Sequence, residues 1–81
     1  MPKQPVVKVR KLIKLSKLLG YQVERQNGSH IYVKKPGDGF TIIPRHGDNQ
    51  IPTGTLHKII NDLSIQNGLS REEILKMLES L

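Results

Sequence analysis

Apolar residues first recur in a helical rhythm. Val9, Leu12, Ile13 and Leu19 occupy the i, i+3, i+4 and i+10 positions of one helix face, and Leu15 and Leu18 widen it. Arg10, Lys14 and Lys17 fall on another side as a basic stripe. Gly20 stands where a left-handed residue would close the helix. Residues 1–7, with Pro2 and Pro5, disfavour helix and read as a flexible arm.

At Tyr21 the period changes to two. The run Tyr21-Gln22-Val23-Glu24-Arg25 alternates, and so does Ser29-His30-Ile31-Tyr32-Val33-Lys34, with Asn27-Gly28 between them as a hairpin signal. The loop length decides which side chains share a face, because a slip of one residue inverts a strand. A two-residue loop at Asn27-Gly28 pairs Arg25 with His30 and Val23 with Tyr32, mixing apolar and polar residues. A three-residue loop, Gln26-Asn27-Gly28, pairs Val23 with Ile31 and Tyr21 with Val33, and leaves Glu24 opposite His30. The second register gathers one apolar face, so it is the expected one. It puts His30, Tyr32 and Lys34 together on the open face, with Gly28 left-handed at the third loop position.

Pro36-Gly37-Asp38-Gly39 is a turn by composition, and Phe40-Thr41-Ile42-Ile43 reads as a third strand stopped by Pro44. Residues 45–54 read as a loop. A second helix starts near Thr53 or Thr55, either of which can serve as N-cap, and carries the stripe Leu56, Ile59, Ile60, Leu63. Asn67-Gly68 ends it. Ser70-Arg71-Glu72-Glu73 is a capping box for a short last helix, with Leu69 and Ile74 as a hydrophobic staple and Ile74, Leu78, Leu81 as its stripe. The expected fold is α+β: a helix, a three-stranded antiparallel sheet and a second helix, followed by a short C-terminal helix, with the helices on one sheet face. At 81 residues this is a single domain with a thin core and no room for a large cofactor.

Charge changes the picture. The formal net charge is +6, but residues 1–35 hold nine basic residues against one acid, Glu24, while residues 36–81 sum to −2. A basic half on a near-neutral body suits a polyanion. The absence of cysteine removes disulfides and thiolate metal sites and fits a reducing, cytoplasmic setting. No apolar run approaches the roughly 20 residues of a membrane span, so no membrane partner is expected.

Three histidines could carry chemistry. His30 follows a tight Gly28-Ser29 turn in the basic half, where an imidazole could exchange a proton with a ribose hydroxyl or a leaving oxygen. Arg25, Lys34 or Lys35 could balance phosphate charge beside it. His46 is a weaker candidate for a second proton carrier, and His57 lies off the apolar stripe of its helix. Their separations of sixteen and eleven residues fit no compact metal site, and neither a metal nor a cofactor is expected. Arg10, Lys14, Lys17 and Lys34-Lys35 could grip RNA phosphates. Tyr32 could stack one base, although the chain is too poor in aromatics for a multi-base platform.

The run Lys17-Leu18-Leu19-Gly20-Tyr21, followed by Arg25-Gln26-Asn27-Gly28-Ser29-His30, resembles the start of the HicA toxin family. Pro44-Arg45-His46-Gly47, Pro52-Thr53-Gly54-Thr55-Leu56, and Gly68-Leu69-Ser70 with Glu73 are similar to its later part, so the likeness covers about residues 9–80. Between Leu56 and Gly68 this chain is about one helical turn longer than the family pattern, around Asn61–Gln66.

The resemblance implies a fold like a double-stranded-RNA-binding domain and a toxin that cleaves mRNA without metal. It also implies neutralisation by a HicB-like antitoxin. Its Gly-Ser-His triplet makes His30 the catalytic residue, with Gly28 and Ser29 beside it in the RNA-binding set of Arg10, Lys14, Lys17, Arg25, Tyr32, Lys34 and Lys35. Two rival readings are a module of the same fold that holds RNA without cutting it, and an interaction domain whose open sheet face docks protein only.

Overall fold

Leu12, Leu15 and Ser16 come round to one side of a helix, and all three are fully buried in the computed structural model, which describes residues 7–45 and 51–81. This helix, α1, spans Val9–Leu18. Its buried face is centred differently from the spacing reading: Leu18 points outward, and Ser16 takes a core position. Ser16 can do so because its hydroxyl donates to the Leu12 carbonyl at 2.8 Å, leaving no unpaired polar group. Gly20 closes the helix as expected. Its φ is 97°, its N–H bonds to the Lys17 carbonyl, and the Tyr21 N–H bonds to the Ser16 carbonyl. That pair of bonds is a Schellman closure, and it turns Tyr21 into the core.

The expected arm at residues 1–6 and the loop at 46–50 lie outside the described residues. Val7, counted with the arm from its sequence, is buried, and its carbonyl accepts the Ile51 N–H at 3.0 Å.

The three strands are β1 (Gln22–Asn27), β2 (His30–Lys34) and β3 (Phe40–Pro44), antiparallel and in the order β1-β2-β3. The expected hairpin register is wrong. Asn27 pairs with His30, Gln26 with Ile31 and Arg25 with Tyr32, around a two-residue Gly28-Ser29 loop. The register then shifts between Val23 and Arg25, and Val23 comes opposite Val33. Gly28, with φ 60°, supplies the positive φ that primed hairpin turns need at their first central residue, and such turns match strand twist. A bulge at Glu24 absorbs the odd residue. The bulge returns Val23 to the face of Val33, although every residue of β1 stays exposed.

The shared face of His30, Tyr32 and Lys34 survives this change, because Ile31 and Val33 are the buried alternates of β2. On β3 the buried alternates are Thr41 and Ile43. Pro44 is the last residue of this strand. The bonds Lys35 N–H to Gly39 carbonyl and Arg45 N–H to Ser29 carbonyl fix the phase of the ladder, so Pro44 turns its missing donor to the free edge.

Helix α2 spans Thr53–Asn67 and buries Leu56, Ile59, Ile60 and Leu63, the full expected stripe. Its N-cap is Pro52, with no side-chain cap, so neither Thr53 nor Thr55 fills that role. Gly68, left-handed at φ 64°, ends it. Helix α3 (Arg71–Glu79) opens with the Ser70–Glu73 capping box, and Ile74 and Leu78 are buried while Leu81 stays at the surface. The three helices cover one sheet face around an aliphatic core. The other face is open.

Candidate nucleic-acid interface

The register sorts the open face into three rows. Asn27, His30 and Pro44 form the first, at the hairpin end; Arg25, Tyr32 and Ile42 form the second; Gln22, Lys34 and Phe40 form the third. Successive rows are roughly 6.6–6.8 Å apart, two residues along a strand. His30 and Lys34 are exposed and Tyr32 is half-buried. The Arg25 guanidinium carbon stands 4.6 Å from the centre of the Tyr32 ring, a cation–π contact across the strand pair. The only acid in the three strands is Glu24, at the bulge. The face therefore offers an imidazole and two cations beside the exposed apolar side chains of β3. It can attract a phosphate and present a proton acceptor to it.

Other residues expected at the site are distributed differently. Gly28 and Ser29 form the turn that leads into His30. The Lys35 amine is committed to the far end of the sheet, donating to Asn67 Oδ1 at 2.5 Å and lying 5.4 Å from the Tyr21 ring centre. Arg10, Lys14 and Lys17 are exposed, but they ride on α1, which packs on the covered side. Arg10 comes nearest the hairpin, where it shares a cleft with Lys8, Val23, Gln26, Ile31 and Arg45. Arg45 was not singled out from the sequence. Its N–H holds the Ser29 carbonyl, so it sits at the base of the hairpin turn, a position visible only once the register is known. His57 Nδ1 is 2.7 Å from Arg71 Nη2, which ties it to α3 on the helical layer. His46 lies outside the described residues, among which no three potential metal ligands converge.

The opposite end of the sheet is built on side chains. Tyr21 donates its hydroxyl hydrogen to Gln66 Oε1 at 2.6 Å and accepts from Asn67 Nδ2 at 3.1 Å. Gln66 in turn donates to the Phe40 carbonyl at 2.7 Å. Burial pushes the Tyr21 phenol above its ordinary range; the Asn67 bond pulls the other way, and the Asp62 carboxylate adds to the rise.

Fold and face together define a small basic α+β domain with one histidine displayed on an uncovered sheet among cations. The family described as HicA toxin of bacterial toxin-antitoxin matches residues 9–65, and the chain belongs to it. The match takes in α1, the whole sheet and most of α2, and stops one residue before Gln66. A search of curated proteins and a search of solved structures each found no match. Family membership makes the chain the toxin half of a toxin–antitoxin pair, with an antitoxin as partner. Among the described residues no helix is long and apolar enough to cross a membrane.

Proposed function

We propose that this toxin is a cytoplasmic endoribonuclease that cuts mRNA without a metal, with His30 as its general acid–base. The observation that carries the reading is the exposure of His30, inside the family-matched stretch, on a face that bears Arg25 and Lys34. His30 takes the proton from a ribose 2′-hydroxyl. The 2′-oxygen then forms a bond to the adjacent phosphorus, and the bond from phosphorus to the 5′-oxygen breaks, leaving a 2′,3′-cyclic phosphate. The departing 5′-oxygen is protonated, with Tyr32 and His46 as candidate donors. Arg25 and Lys34 offset the charge that gathers on the phosphoryl oxygens. Arg10, Lys14 and Lys17 are proposed to assist on the RNA backbone, Lys35 only through the amine hydrogens that its bond to Asn67 leaves over, and Gly28 and Ser29 to set the approach to His30.

The antitoxin is proposed to be HicB-like, with an acidic or occluding segment laid over the open face. Failure of such a protein to bind or inhibit would remove that part of the reading.

The test is cleavage of a long single-stranded RNA in EDTA by wild type and by His30→Ala. Cutting by wild type alone, with a cyclic phosphate end and no reaction at a 2′-deoxy substitution, supports the mechanism. Equal cutting by both proteins removes His30 from it. Binding without cutting by either identifies an RNA-holding module.

A further inference from the structure

Phe40 is 55% exposed and Ile42 37% exposed on a strand whose other face buries Thr41. The chain has one phenylalanine and leaves it in water, while a threonine fills a core position and donates its hydroxyl hydrogen to Asp62. Folding alone gives no reason for that choice, and uncovered apolar surface beside a polar rim marks a contact site. Tyr32 stands at the centre of this face, between Ile42 and Arg25 and one row from His30.

We infer that Tyr32, flanked by Arg25 and Ile42, is the base platform of this nuclease: it stacks the nucleobase neighbouring the bond cut at His30, in single-stranded RNA. The inference rests on the ribonuclease reading and names the form of RNA that this face accepts. The Arg25 guanidinium lies over one face of the Tyr32 ring, so a base takes the other face, and the cation holds the ring and adds charge for the adjoining phosphate. The spacing of one row, roughly 6.6–6.8 Å, separates ring and imidazole enough for them to serve neighbouring nucleotides. A base inside a duplex has both faces stacked and cannot reach the ring. Domains that grip double-stranded RNA use its 2′-hydroxyls and phosphates and need no exposed aromatic. Because stacking strength sets the preference, discrimination among bases at this position is modest, with purines favoured.

The test is a binding series on His30→Ala, which leaves the RNA uncut. A short single-stranded RNA containing one cleavage site, mapped with wild type, carries a single abasic ribose walked through every position. Affinities are compared in His30→Ala alone and combined with Tyr32→Ala, Tyr32→Leu or Tyr32→Phe. One abasic position beside the cut is expected to weaken binding about 5- to 150-fold, the range for loss of one base–aromatic stack. Tyr32→Ala and Tyr32→Leu are expected to weaken binding of intact RNA similarly and to abolish the sensitivity at that one position. Tyr32→Phe restores it. Tyr32→Leu keeps apolar volume in the half-buried site, and thermal melting shows whether each variant folds.

Losses that multiply when the abasic site and Tyr32→Leu are combined overturn the platform, as does tolerance of abasic sites throughout. Tighter binding of duplex than of single strand overturns it too. If wild type cuts RNA and these tests fail, only the platform falls. If wild type neither binds nor cuts RNA, the ribonuclease reading falls and takes the platform with it.

Discussion

The two ends of the sheet are held by different means. At the hairpin end the chain is held by its own backbone: the Asn27–His30 pair, the left-handed Gly28 and the bond from the Arg45 N–H to the Ser29 carbonyl. At the other end, Tyr21, Gln66, Asn67 and Lys35 join the helix C-terminus of α2 to the start of β3 through side chains. The difference separates two tasks. An end fixed by backbone leaves its side chains free to meet a ligand, whereas the side chains at the pinned end are occupied with one another. His30 stands at the first end. The network residues Gln66 and Asn67 lie just past the family-matched stretch, at the end of α2.

The sharpest way to break this comparison is to exchange its consequences. His30→Ala should lower the cleavage rate by about 100- to 10,000-fold, the usual share of a general acid–base, and leave stability within about 0.5 kcal/mol, as for an exposed surface side chain. Single-turnover kinetics and thermal melting read the two effects side by side. Asn67→Ala should do the reverse. It deletes the partner of Tyr21 and Lys35 and a bond to the Leu63 carbonyl, so stability should drop by about 1–3 kcal/mol. The cleavage rate of the folded fraction should stay within a few-fold of wild type. An Asn67 variant that is stable but inactive would mean that the pinned end takes part in the reaction.

Much of this division could be read in the sequence. The stripe Leu56, Ile59, Ile60, Leu63 is buried to the last residue, because period 3.6 over two turns has one solution. The Ser70–Glu73 box is local chemistry and formed as expected. What escaped were features decided by tertiary competition. The hairpin register looked settled by apolar matching, yet the turn preference at Gly28-Ser29 prevailed and a bulge at Glu24 absorbed the mismatch. On β3 both faces are apolar on paper, Phe40 and Ile42 against Thr41 and Ile43; burial of Thr41 beside Asp62 tells them apart only in the fold. Of the candidate site, His30, Tyr32, Lys34 and Arg25 share a face as alternation required of the first three. Lys35 carries the same charge, but its amine is taken by Asn67, thirty-two positions away, and no local pattern shows that.

A smaller effect sharpens the account of the hairpin end. Gly28→Ala puts a Cβ on a residue at φ 60°, where nothing lies within 4 Å of the new atom. Backbone strain is then the only cost, about 1–2 kcal/mol for a left-handed L-residue, and Gly28→Asn should recover part of it because asparagine tolerates that region. Chemical denaturation measures both. Equal stability of all three proteins would show that the turn is not held left-handed in solution, and with it the observed register would fail.

The smallest expected effect tests the pinned end by pH. The folded chain raises the Tyr21 phenol above its ordinary value, while the unfolded chain ionises it near pH 10. Below that pH both states hold the proton and the contribution of the network is complete. As pH rises past 10 the unfolded state loses its proton first, so it binds fewer protons than the native state and stability falls with pH. Tyr21→Phe keeps the buried ring and deletes the hydroxyl that bonds Gln66 and Asn67. Near pH 8 the variant should be less stable by about 1 kcal/mol, the net worth of such bonds. As pH rises above about 10 the wild type should lose its advantage and the two melting curves converge. A gap that stays constant from pH 8 to 11 would mean that ionisation of the phenol is not linked to folding, although its hydroxyl still contributes; no gap at any pH would mean that the pinned end is held without it.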